Sequence, residues 1–132
     1  MTVIATDATR LSNLVKHELW PETGYCRKEV IVNEATAKSY VIGTVLGKVT
    51  ADGKYKIAVQ TAVDGSATAA AIVLEAKSVP ATTDTKVIVY TKGPLEVSRD
   101  ALVLDATYNL DAEKAQVYAD LEAKGINVLV TV

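Results

Sequence analysis

The chain has one histidine, His17, and one cysteine, Cys26. A hydrolase triad needs a histidine as general base beside an activated hydroxyl. Ser12, Ser39, Ser66, Ser78 and Ser98 all lack the flanking glycines of a nucleophile elbow. His17 therefore reads as a solvent-facing helix residue. A zinc shell draws several Cys, His or carboxylate ligands, and one thiol plus one imidazole cannot close it. The carboxylates are scattered, with no D-x-D-x-D-G loop for calcium. A pair of acids in a glycosidase-like cleft needs no local spacing, so that chemistry stays open. Gly43, Gly47 and Lys48 have the outline of a phosphate loop, which requires four residues between its glycines and a hydroxyl after its lysine. Here three residues intervene and Val49 follows the lysine. The glycines read instead as strand glycines that permit a bulge or a close backbone approach. The expectation is a protein without catalytic residues, metal or cofactor.

The elements that would position any site divide at about residue 24. From Asp7 to Trp20, Leu11, Leu14, Val15 and Leu19 recur at three- and four-residue steps, the spacing of a short helix capped by Asp7 or Thr9. Pro21 and Gly24 stop it. Two readings fit residues 1–23: a helix packed on the domain, or an N-terminal arm that orders on binding. Trp20 is similarly open, as an anchor on a partner surface or a cap over the domain's own core.

Strand grammar follows. Cys26 to Val32 interleaves β-branched residues with charges, and Tyr40 to Val49 is nearly all apolar or small. Asp52-Gly53 marks a hairpin turn before Lys54–Val59, since that pair tolerates positive φ cheaply. Thr68 to Leu74 and Lys86 to Thr91 read as strands, and Leu95 to Leu104 as two shorter extended pieces after Gly93-Pro94. A helix is expected near Leu110–Lys124, capped by Asn109 or Asp111, with acids in its first turn and Gly125 closing it. Leu110, Lys114, Val117 and Leu121 share one side, and Asp120 stands four residues before Lys124 for a surface pair. Ile126 to Val132 is a final strand.

A chain of 132 residues with 49% hydrophobic and 23% charged residues has the composition of one globular domain, which excludes a disordered polymer. No Phe is present, so the core must be built of Val, Ile, Leu and Ala, which favours strands. A net charge of −2 gives no summed field to attract nucleic acid. The longest near-apolar run, Ala67 to Leu74, falls well short of the ~20 residues of a membrane helix. Asp7 precedes the first basic residue, unlike a secretory leader. A lone Cys26 suits a reducing compartment. The expected fold class is mainly β with a small helical component (α+β): an arm over residues 1–23 and a β-rich domain over 24–132.

Three stretches carry a resemblance: GYCRKEVIV from Gly24, IGTVLGKVTADGKYK from Ile42 with the following DGSATAAAIVLEA, and KGPLEVSRDALVLDA from Lys92. In this order and spacing the chain, over roughly residues 24–132, resembles the head decoration protein family of tailed bacteriophages, typified by the lambda head protein D. The closing GINVLVTV fits the same pattern. The resemblance implies a compact β-tulip-like domain that forms homotrimers on the outer surface of the expanded capsid. It would brace the shell at three-fold or quasi-three-fold positions. The implied partners are the major capsid protein and copies of itself; the implied location is the virion surface after synthesis in the host cytoplasm. It also implies no cofactor and no catalytic residues. In such proteins the arm reaches onto the major capsid protein, which would make Val3, Ile4, Leu11, Leu14, Val15 and Trp20 the capsid-binding residues here. Cys26 stands where serine is expected, and the N-terminal segment matches only loosely. The alternative function is a β-rich binding module for a carbohydrate or another small ligand. That module would have to be built around Trp20 and six dispersed tyrosines.

Overall fold

The computed structural model describes residues 14–20 and 23–129. Ten strands are present among them: β1 (Val15–Glu18), β2 (Arg27–Val32), β3 (Lys38–Tyr40), β4 (Val45–Lys48), β5 (Tyr55–Ile57), β6 (Ala69–Val73), β7 (Lys77–Val79), β8 (Thr85–Tyr90), β9 (Leu95–Ser98) and β10 (Ile126–Leu129). A 3-10 turn at Arg99–Ala101 and one helix, α1 (Asp111–Glu122), complete the described elements. The fold is mainly β with a small helical component, as expected from composition and pattern.

Strands β2, β5, β4, β6 and β8 close into a barrel. A three-stranded sheet in the order β1, β9, β10 and a two-stranded ribbon of β3 with β7 lie beside it. The barrel strands explain the long apolar runs of the sequence. Val32, Leu46, Ala71, Val73, Val87 and Val89 fill one core, while Val45, Ala69, Ile72 and Tyr90 from the same strands join a second core. A strand buried on both faces has no polar face to alternate with, so β4 and β6 read as continuous hydrophobic segments. The second core also takes Leu14 from the N-terminal segment, Leu95 and Val97 from β9, Val117 and Leu121 from α1, and Ile126 from β10.

The glycines of the Tyr40–Val49 stretch serve close approach. Gly47 lies in β4 at a register irregularity against β6, and a Cβ there would run into the Ser66 carbonyl. Gly43 is not a strand residue. It sits at φ +99° in the turn that separates β3 from β4, packed against the Ala101 backbone. The single long strand expected here is thus two short ones, broken where only glycine takes the left-handed conformation. The Asp52-Gly53 turn joins β4 to β5 as anticipated, closed by the Val49 N–H donating to the Lys54 carbonyl at 2.8 Å.

Helix α1 lies where expected, and its ends differ in detail. Leu110 holds the N-cap position with extended backbone and no side-chain cap. Asp111 is already inside the first turn, with Glu113, where both acids meet the positive end of the helix dipole. Gly125 takes φ +84° beyond the last turn. Leu110 is exposed, so the buried stripe consists of Val117 and Leu121. Asp120 accepts from Gln116 Nε2 at 2.9 Å and from the Ala69 N–H at 3.3 Å, tying the helix to β6. The helix provides the crossover between β9 and β10, which are parallel, with Ile126 opposite Leu95.

Leu14 is helical, and from Val15 on the N-terminal segment departs from the helical expectation. Val15–Glu18 is a strand, antiparallel to β9, with His17 opposite Glu96 and a register shift between Val15 and His17. Strand β9 has a free side opposite β10, and pairing with it satisfies the β1 backbone while Leu14 enters the core. That tertiary gain outweighs a helical spacing carried by only a few residues. The remainder of the expected helix, residues 7–13, lies outside the described residues.

Candidate functional site

The best-built polar constellation lies at the root of the N-terminal segment. The Arg27 guanidinium donates to both oxygens of Glu18, each at 2.9 Å, and the Tyr90 hydroxyl donates to Glu18 Oε1 at 2.9 Å. Arg27 also lies over the Tyr90 ring, 5.6 Å from its centroid. The Glu18 side chain is 5% exposed and that of Arg27 33%. This bidentate fork connects β1 to β2 and β8, so the first described strand is clamped to the barrel as well as paired with β9. Burial by itself would raise the Glu18 carboxyl; the hydrogen bonds from Arg27 and Tyr90 and the Arg27 charge outweigh it and hold the group below its ordinary value. Burial, with the bond to Glu18, raises the Tyr90 hydroxyl.

Immediately after the clamp, Trp20 is exposed and stands edge-on to Tyr25, with ring centroids 5.2 Å apart and planes at 82°. Tyr25 is also exposed, and Lys92 Nζ sits 4.1 Å from its ring centroid. Beneath this patch the buried Cys26 thiol donates to the Pro94 carbonyl at 3.5 Å and lies 3.8 Å from that of Leu19. The Leu19 N–H donates to the Pro94 carbonyl at 3.1 Å. Burial raises the Cys26 thiol, against a smaller opposing effect of the Leu19 backbone.

Of the residues expected to bind a partner, Leu14 is 1% exposed within the second core and Val15 packs against that core. Trp20 is exposed, which removes the reading that it caps the domain's interior. Val3, Ile4 and Leu11 lie outside the described residues. Tyr25, Lys92, Glu18 and Arg27 were not singled out by sequence. The Trp20-Pro-Glu-Thr-Gly-Tyr25 spacing was the available signal for Tyr25; Lys92 arrives from a distant loop and leaves none.

The other chemical candidates resolve into structural roles. His17 is exposed on β1, in a strand rather than a helix. No group of three or more metal-ligating side chains occurs among the described residues. Glu34, 3% exposed, accepts from the Tyr40 hydroxyl and from the Ile57 N–H at 2.8 Å, a polar pin at the edge of the first core. Asp64 pairs with Lys56 at 2.7 Å and Asp84 with Lys54 at 3.0 Å. One concavity, about 800 Å³, is an open groove between α1 and the segment before it, lined by Arg99, Leu104, Asp105, Tyr108, Lys114 and Tyr118 among others. In that groove Asp105 accepts from the Thr107 hydroxyl at 2.8 Å and N–H at 3.1 Å, so it serves to hold its own turn.

Fold and site together define a small β-barrel domain with a side sheet, whose distinctive features are an anchored N-terminal root and an aromatic surface patch. The family model of Bacteriophage lambda head decoration protein D matches residues 4–126, and the chain belongs to that family. The family is a structural one of the phage head: its role is capsid decoration, its place the virion capsid and its association with the capsid. No curated protein matched the chain.

Proposed function

We propose that the protein is a cement protein that binds the outer surface of the expanded head as trimers, at three-fold or quasi-three-fold positions, and stabilises the shell. The observation that carries this reading is the family match across residues 4–126. The fold supports it. In the sheet order β1, β9, β10, strand β1 lies at an edge, and the chain preceding it carries Val3, Ile4 and Leu11. A segment leading off an edge strand can add to a partner's sheet if it takes up extended backbone there, with main-chain bonds for affinity and alternate side chains for register. In this reading Leu14 and Val15 root the arm in the domain, while Val3, Ile4, Leu11 and Trp20 meet the major capsid protein.

Stabilisation follows from mass action. A ligand that binds only the joined arrangement of shell subunits shifts the equilibrium toward it. Trimers placed on symmetric positions engage several subunits at once, so modest contacts multiply. The test is to mix purified protein with expanded, undecorated heads. Saturable binding with raised resistance to heat or chelator is expected, and heads left undecorated would overturn the proposal.

A further inference from the structure

We propose that Trp20, Tyr25 and Lys92 form one recognition site for a protein segment that presents a carboxylate beside an apolar side chain, and that this segment belongs to the capsid. The identity of the partner rests on the capsid reading above; the chemistry of the site rests on three observations. First, two large aromatic side chains are exposed side by side, held edge-to-face at 5.2 Å. Rigid aromatic pairs lose little rotamer freedom on binding and dominate interface energetics. Second, Lys92 Nζ is positioned 4.1 Å from the Tyr25 centroid and makes no ion pair among the described residues. Its charge thus lies over the Tyr25 ring, where a carboxylate approaching along the aromatic surface would meet it.

Third, Trp20 has φ +50°, a left-handed conformation that bulky L side chains rarely adopt. The surroundings hold it there. Thr23 donates to the Trp20 carbonyl through its N–H at 3.1 Å and its hydroxyl at 3.0 Å, and Leu19 is tied to Pro94. A strained backbone that leaves a tryptophan in solvent serves no purpose in the domain's own core. It is the kind of outlier that concentrates at binding sites.

The experiment uses the full chain and undecorated expanded heads, with affinity measured at low and high salt and folding followed by melting temperature. Tyr25→Ala and Lys92→Glu are each expected to weaken head binding by about tenfold or more, with melting temperatures near that of the parent. Lys92→Arg should retain binding. Trp20→Ala and Trp20→Gly should lose affinity alike, and the glycine variant should melt higher than the alanine variant because it accepts positive φ. If the parent binds and the folded Tyr25 and Trp20 variants bind equally well, the site is wrong while the capsid reading stands. A loss confined to Lys92→Glu also overturns it, since that is a diffuse charge effect. If the parent itself fails to bind, both readings fall.

Discussion

At the scale of single residues, the Glu18–Arg27–Tyr90 fork has the clearest energetic consequence. Glu18→Gln keeps the shape and removes the charge, leaving a part-buried guanidinium with weaker acceptors. A loss of about 1–2 kcal/mol in urea unfolding at neutral pH is expected. Because the folded state holds the Glu18 carboxyl below its ordinary value of 4.5, its contribution is fully present above that value and is lost as pH falls through the folded value. The stability gap between parent and Glu18→Gln should therefore narrow below about pH 4.5; a constant gap from pH 7 to pH 3 would contradict the charged fork. The Cys26 thiol, buried and raised, should react far more slowly with a thiol reagent at neutral pH in the folded protein than in urea. None of these partnerships was legible in the sequence. Glu18 and Tyr90 are 72 positions apart, and local spacing carries no information about contacts that only the closed barrel creates.

At the scale of elements, legibility followed burial. The hairpin at Asp52-Gly53, the strands ending at Val32 and Tyr90, and helix α1 were readable because turn chemistry, first-turn acids and apolar runs agreed. Strands β3 and β7, three residues each, were not, since so short a run shows no period. The N-terminal strand was misread as helical for a different reason: its fate is decided by the free side of β9. That placement makes a truncation series informative. Removing residues 2–13 should leave a folded domain with weakened head affinity. Removal through residue 20 deletes Leu14 from the core along with Glu18, and should cost about 3–5 kcal/mol or abolish folding. Equal melting temperatures for the two truncations would show that β1 contributes nothing to the domain. Gly47→Ala should destabilise by about 2 kcal/mol or more, because the Ser66 backbone must shift to admit a Cβ.

At the scale of the whole molecule, composition excluded more than it assigned. A net charge of −2, one cysteine and one histidine argued against nucleic-acid, metal and triad chemistry. The family match associates the domain with the phage capsid, and the fold shows how such a domain is put together: two cores sharing the same barrel strands, with a clamped edge strand and an aromatic patch on the surface. With so little net charge to screen, binding to heads should depend only weakly on salt apart from the Lys92 contact.

The most direct measurement titrates the purified protein onto expanded heads that lack it, counts the copies bound at saturation, and compares heat resistance before and after. A fixed number of copies per head, matching three at each three-fold or quasi-three-fold position, together with a raised temperature of rupture, is the predicted result. Bound copies that do not saturate, or heads that rupture at an unchanged temperature, would contradict it.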